Sequence, residues 1–365
     1  MKPKLAFDLQ GDIKKLRKKE EPKKPVYIEW QELLTKQLEL KKSVNVTTTE
    51  ETKEISENEL TKDDIKYVTI VVISDTHMQH RKLEMPNADI LILSGDFTNN
   101  GTIQEAENVN TWLGELFHKQ KKYKYILVSA GNHEGYGDLI EPKVCKKVMT
   151  NCTFLHDEAV TIEGIKFYGT PWTRNLYEEG EENDDNNGYL RNKINIYKYF
   201  QNIPQDILME KVLFYYLLLL LYLFKLLFLL LLGCPILRRQ LKRLTKLRAI
   251  QCGHVHNGRG FMFVTRESIQ NSVSTHLLPK DEDEKTPGED PLGKKLERYD
   301  VNELKKLLEV KNEDDLSSSS NNVPNLVEHI VLCVNAANDA GTTFRNPEPP
   351  NQPMWFHFPL FNKKN

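Results

Sequence analysis

Val68-Thr-Ile-Val-Val-Ile-Ser-Asp-Thr-His77 decides the fold. Its first six residues are all β-branched, with no polar alternation, as a strand buried on both faces requires. The run then stops at Ser74, Asp75, Thr76 and His77. The same pattern returns twice. Ala88 to Leu93 ends at Ser94-Gly95-Asp96, and Tyr125 to Ser129 ends at Ala130-Gly131-Asn132-His133-Glu134. Between these two runs, Ile103, Ala106, Val109, Trp112, Leu113, Leu116 and Phe117 fall three or four residues apart, which makes one apolar helix face. Strand, loop, helix, strand predicts parallel strands with helical crossovers. Each polar cluster then lies at the C-terminal end of a strand, where open α/β sheets place their sites.

Working outward, residues 1–66 are rich in Lys and Glu and read as a charged, partly disordered arm, within which Val26 to Leu34 reads as one short docking helix. Residues 1–24 lack the apolar core of a signal peptide. Residues 67–263 form the main domain. Further strands are expected at Ile165 to Tyr168, Asp206 to Met209 and Ala249 to Cys252, the last opening onto Gly253-His254-Val255-His256. Glu178 to Gly188 reads as an acidic surface loop, and Leu237 to Leu247 as a basic amphipathic helix. Residues 264–328 read as a low-complexity, largely disordered insert, with a short helix at Asn302 to Val310. Residues 329–365 return to the domain with a strand at Ile330 to Asn335, and the Pro-rich stretch Pro347 to Pro359 is expected to run extended over the surface.

Composition narrows the function. The 365 residues carry 50 Lys+Arg against 52 Asp+Glu, a net charge of −2, which argues against nucleic acid held by bulk electrostatics. Five Cys with no C-x-x-C pair exclude a disulfide scaffold and fit a reducing, cytoplasmic setting. Cys145, Cys152, Cys252 and Cys333 read as small core residues. His80, His118, His276, His329 and His357 read as surface or packing residues, and Trp172 as packing near the site rim.

The polar clusters carry the chemistry. Asp75-x-His77, Gly95-Asp96, Gly131-Asn132-His133-Glu134 and Gly253-His254-x-His256 combine carboxylate, imidazole and amide oxygen. Such a set suits Mn, Fe or Zn. One carboxylate can bridge two ions about 3.5–4 Å apart, and such a pair polarises a phosphoryl group and acidifies water. Each piece alone is common in turns. All four in order, each after a predicted strand, make a specific signal.

These motifs, with Tyr168-Gly-Thr-Pro-Trp-Thr173, resemble the calcineurin-like metallophosphoesterases, and among them the small metallophosphoesterase-domain (fetal-brain 239 protein) subfamily. The resemblance covers roughly Lys66 to Phe263 and resumes near Val331 to Pro359. It implies an α/β fold, a four-layer αββα sandwich, with the site at the top of the strands. It implies two divalent ions and a phosphoester substrate such as a cyclic nucleotide. Asp75, His77, Asp96 and His256 would hold the first ion, with Asp96 bridging, and Asn132 and His254 would help hold the second. His133 would act on the leaving group rather than bind metal.

The chain departs from the family in one place. The family carries a further second-metal His after a strand, expected between Trp172 and His254. His156 and His254 are consecutive histidines, so no histidine between them supplies it; Glu210 offers an oxygen ligand at about the right place, although a surface residue is the preferred reading. At that position stands an apolar run, Val212 to Leu232, with Lys225 its only charge. Its length and hydropathy qualify it as a transmembrane helix. A single span, however, would put Asp75, Asp96 and Asn132 across a bilayer core about 30 Å thick from His254 and His256, so spanning and site assembly exclude each other. The run consists almost wholly of residues encoded by A/T-rich triplets. The favoured reading is therefore a retained intron or gene-model error in place of the ligand. Three functions compete: a metal-dependent phosphoesterase, a catalytically impaired metal-binding member, and a single-pass membrane protein.

Overall fold

The computed structural model describes residues 23–47, 65–174, 189–191, 193–206, 209–211, 237, 240–241, 243–254, 256, 259–265, 298–299, 330–338 and 349–361. In chain order the elements are β1 (Val26–Ile28), α1 (Trp30–Thr47), β2 (Ile65–Ile73), β3 (Ile90–Ser94), α2 (Ile103–Gly114), β4 (Tyr125–Ser129), α3 (Pro142–Val148), β5 (Thr153–Phe154), β6 (Glu158–Ile162), β7 (Ile165–Gly169), β8 (Thr173–Arg174), β9 (Leu190–Arg191), α4 (Lys193–Gln201), β10 (Met209–Lys211), β11 (Ala249–Cys252), β12 (Gly260–Thr265), β13 (Arg298–Tyr299), β14 (Ile330–Asn335) and β15 (Met354–Phe361).

Two sheets form the interior. The first has the order β1-β15-β2-β3-β4-β5 and the second β13-β12-β14-β11-β10-β7-β6. From β2 to β5 the pairing is parallel, as the crossover pattern predicts. The strands β7, β10, β11 and β14 are parallel as well. Antiparallel strands β15, β6 and β12 complete the sheets.

The β2 run explains the layering. Ile70 and Val72 pack with Ile165, Phe167, Phe263, Leu332 and Val334 of the second sheet, whereas Val71 and Ile73 share the cluster of Ala106, Val109, Trp112 and Leu113 on α2. One strand thus feeds both an inter-sheet core and an outer helical layer, which is why its sequence shows no alternation. On the second sheet, Ile250, Met262, Val331 and Cys333 share their cluster with Ile196 and Phe200 of α4 and with Leu237, Leu241, Leu244 and Leu247. The result is the four-layer αββα sandwich. Helix α2 begins at a capping box: Thr102 accepts from the Glu105 amide, and the Glu105 carboxylate accepts from the Thr102 amide.

Several expectations change. Val26 to Leu34 is not one short helix. Val26–Ile28 is a strand pairing in parallel with Met354–Phe356, and only Trp30 onward is helical. Trp30 is fully buried, with its ring 6.0 Å from Phe263, 6.0 Å from Phe356 and 5.5 Å from Phe358, so it joins the two sheets. The Pro-rich stretch does not run over the surface. Its end is β15, eight residues paired with β2, with Phe356 and Phe358 buried. Pro359 is tolerated because β1 pairs only as far as Phe356, leaving the proline a partner on one side alone. The strand expected at Asp206 to Met209 is described as Met209–Lys211, between β7 and β11. The apolar run, the acidic loop at 178–188, nearly all of the insert and parts of 237–247 lie outside the described residues. Among the described residues no helix is long and apolar enough to cross a membrane.

Candidate metal centre

The site is built from strand ends. Strand β2 delivers Asp75 and His77, β3 delivers Asp96, β4 delivers Asn132 and His133, and β11 delivers His254 and His256. Asp75, His77, Asp96 and His254 all have left-handed backbones, with φ of 53°, 41°, 49° and 69°. Non-glycine residues held there cost on the order of 1–3 kcal/mol each, and such outliers cluster at functional sites. Two glycines are required by close approach. A Cβ on Gly131 would lie 2.3 Å from Asp96 Oδ1, and one on Gly253 would lie 2.2 Å from Asp75 Oδ2. Both carboxylates therefore rest against bare backbone.

Three overlapping groups bring one ligand-capable atom per residue within 4.8 Å of one another: Asp75, His77 and His256; Asp75, Asp96 and His254; and His77, Asp96 and His133. Asp75 accepts from the His254 amide at 2.7 and 2.8 Å and lies 3.2 Å from His256 Nε2. Asp96 Oδ1 accepts from the His133 amide at 2.9 Å, and its Oδ2 lies 3.5 Å from His254 Nδ1. The imidazoles stand in a row, with ring centroids 5.4 Å apart for His256 and His77 and 4.5 Å for His77 and His133.

Hydrogen bonds set the tautomers. His77 Nδ1 is 3.3 Å from the Thr98 carbonyl, and His133 Nδ1 is 2.7 Å from the Asn99 carbonyl. A carbonyl only accepts, so both Nδ1 atoms carry hydrogen and both Nε2 atoms are left for chemistry. Burial lowers the His77 pKa, outweighing Asp96 and Asp75, and so keeps the ring in the neutral form a metal needs. Burial alone would raise Asp96. The hydrogen bond to His254 and the electrostatics of the neighbouring His254, His77 and His133 rings outweigh it and hold the carboxyl well below the usual range.

A divalent ion fits this donor set. The Asn132 side chain is buried, its Nδ2 lies 3.5 Å from the Tyr136 hydroxyl, and its Oδ1 has no hydrogen-bond partner among the described residues. A buried amide oxygen left without a donor costs about 1–3 kcal/mol, which a cation would offset.

The structure brings six of the residues singled out in the sequence, Asp75, His77, Asp96, His133, His254 and His256, into the overlapping groups, and Asn132 stands beside His133 in the chain after β4. It also reveals partners that the motifs did not. Glu134, fully buried, accepts from the amides of Asp96 (2.8 Å), Thr98 (2.9 Å) and Gly131 (2.6 Å) and from the Thr98 hydroxyl (2.7 Å). Burial and the Asp96 charge push its pKa up to about 7, against the four donors that favour the ionised form. Asn338, also fully buried, accepts from the Ser74 amide at 3.0 Å and donates its own amide to the Ser74 carbonyl at 2.7 Å. Asn335-Ala-Ala-Asn338 after a buried strand was the available signal. The place expected for the missing His follows β10, outside the described residues.

The family model for calcineurin-like phosphoesterases matches residues 68–258. The chain belongs to this family. It is 37% identical over 136 residues to metallophosphoesterase domain-containing protein 1 of Homo sapiens, covering 31% of this chain and 40% of that protein. The Mus musculus protein of that name gives the same values. UPF0046 protein K07C11.7 of Caenorhabditis elegans is 37% identical over 123 residues, covering 30% of this chain and 41% of its own length. The chain thus spans about two fifths of the length of the curated relatives it matches. These relatives belong to the subfamily that the motifs resemble. The family implies metal-dependent phosphoester hydrolysis.

Proposed function

We propose that this chain is a metal-dependent phosphodiesterase acting on a small diester such as a cyclic nucleotide, in the cytoplasm. The observation that carries the reading is the overlap of three ligand groups on Asp75, His77 and Asp96. Asp75, His77, Asp96 and His256 would hold one divalent ion of the Mn, Fe or Zn type, with Asp96 shared. Asn132 and His254 would help hold a second. When bound, such ions polarise a phosphoryl group and acidify water.

The chain's own residues supply the rest. The Asn99 carbonyl holds His133 by Nδ1, which leaves Nε2 to carry a proton to the leaving oxygen. The bond from the His133 amide to Asp96 fixes that imidazole relative to the shared carboxylate. The net charge of −2 gives no support to a nucleic-acid partner.

The test is turnover of an artificial aryl phosphodiester by the purified full-length chain as Mn is titrated in, with Asp96→Asn as control. Absence of metal-dependent turnover would sink the enzyme reading for this chain. A second reading is favoured by one observation: no histidine lies between His156 and His254. On it the chain binds metal but is catalytically impaired, so tight binding of one ion without turnover would support it. Sequencing the mature transcript across residues 206–236 addresses the run, and its intact recovery would overturn the intron reading. Membrane contact through 212–232 is disfavoured, and alkaline carbonate extraction checks it.

A further inference from the structure

The row of rings at the site does not stop at His133. Tyr136 stands edge-on to it, with centroids 5.7 Å apart and planes at 75°. The series then runs Tyr136, His133, His77, His256. Tyr136 is 54% exposed, whereas His77 is half-buried and Asp96 buried. Its position is fixed from two sides. It closes the 3-10 turn Glu134–Tyr136, whose Glu134 is anchored by four donors, and its hydroxyl lies 3.5 Å from Asn132 Nδ2. Ile140, on the next 3-10 turn, is exposed as well. Large apolar groups this exposed are few among the described residues, being Val26, Tyr125, Tyr136 and Ile140, and two of them lie within seven positions after His133.

A large aromatic ring left in water beside a polar, buried site gives up burial it could have had. Among the described residues it is not part of either buried core cluster. What it offers is a flat face at a fixed distance from the group that handles the leaving oxygen. We propose that Tyr136 is a specificity-determining residue, providing a stacking face for a planar aromatic group on the organic side of the phosphoester. This deepens the phosphodiesterase reading and rests on it. Aliphatic phosphoesters would reach the same ions and the same His133 but leave the Tyr136 ring in water. Aromatic pairs contribute roughly 0.5–1.5 kcal/mol beyond area burial, and base-on-ring stacking somewhat more, which corresponds to about a tenfold preference.

The experiment uses two probes that cannot be hydrolysed. Phenylphosphonate and methylphosphonate carry the same anionic head and differ only in the organic group. Their dissociation constants are measured by calorimetry on the Mn-loaded full-length chain and on Tyr136→Ala and Tyr136→Phe, with inorganic phosphate as reference. The ratio of the two constants is the readout, so general damage to the site cancels. The expected ratio is about tenfold in favour of phenyl for the unchanged chain, retained in Tyr136→Phe and reduced to within about threefold in Tyr136→Ala. A ratio near one in the unchanged chain overturns the proposal without needing any variant. A tenfold ratio that survives Tyr136→Ala overturns it too. If inorganic phosphate and both probes fail to bind, the phosphoesterase reading itself has failed, and that outcome is distinct from phosphate binding without aromatic preference.

Discussion

Three consecutive strands of the first sheet, β2, β3 and β4, end in Asp75 and His77, in Asp96, and in Asn132 and His133. On the second sheet, the described residues supply only His254 and His256, both after β11. The first half is braced from within. Glu134 collects the amides of Asp96, Thr98 and Gly131, and the carbonyls of Thr98 and Asn99 orient two imidazoles. The second half leans on the first, since the His254 amide donates to Asp75 and its ring faces Asp96. The difference teaches that the site is a preformed cradle on one sheet, onto which the other sheet sets a pair of histidines.

Asp96→Asn should break both halves at once, because Asp96 belongs to two of the three ligand groups and touches His133 and His254. Asn keeps the shape and removes the charge. Metal-dependent turnover should fall by on the order of 10²–10³-fold or more, as when a single electrostatic stabiliser is lost. Wild-type turnover in this variant would show that the halves do not meet at Asp96.

Trp30→Ala tests what holds the two sheets in register far from the ligands. The Trp30 ring contacts Phe263 on the second sheet and Phe356 and Phe358 on the first, and Arg248 lies 5.9 Å over it. Truncating a fully buried Trp costs about 3–5 kcal/mol. Urea unfolding should register that loss, and a change below about 1 kcal/mol would mean that α1 is dispensable to the sandwich.

Glu134→Gln should weaken the first half alone. Glu134 Oε1 serves both Thr98 donors and Oε2 serves the amides of Asp96 and Gly131. Glutamine has one acceptor oxygen, so one of these pairs would face an NH2 group. Outer partners of metal ligands typically contribute 10–100-fold in affinity. Calorimetry should show Mn affinity down by about that factor. Unchanged affinity would reduce Glu134 to a packing role.

The first half was legible in the sequence because it is local. Asp75, Asp96 and His133 each follow a β-branched run by a few residues, so strand and ligand are read together. The second half and the sheet edges were less so. His254 and His256 announce themselves, but what puts them beside Asp75 is β11 pairing with β14 across some 80 residues. Strand β1 is not legible locally because three residues cannot display a period of two, and only Met354–Phe356, more than 300 positions away, makes them extended. Phe356 and Phe358 sat among prolines and looked solvent-bound. Their burial comes from pairing with Phe358↔Val68 and Phe356↔Ile70, contacts that no local pattern carries. Tyr136 carries no signal in the sequence, because exposure, which gives it its interest, is not written in the residue.

The smallest effect concerns the outer layer behind the first half. His80 is 1% exposed, its Nε2 lies 3.1 Å from Asn108 Oδ1, and its ring centroid is 4.9 Å from that of Trp112 on α2. Burial, helped by Arg81, lowers its pKa to about 4, although Asn108 and Glu115 favour the charged form. In the unfolded chain it titrates near the ordinary value of about 6.5. The folded state therefore prefers neutral His80, while the unfolded state binds the proton first as pH falls. The stability from a neutral His80 is complete above about pH 6.5 and is lost progressively toward pH 4. By pH 5.5 the loss should be on the order of 1–2 kcal/mol relative to pH 7.5, read as a lower urea midpoint. His80→Gln, which keeps a donor for Asn108 but cannot titrate, should flatten that part of the profile while leaving the rest of the acid limb in place. If the two profiles run parallel between pH 7.5 and 5.5, the acid sensitivity lies in the cradle of the first half and not behind it.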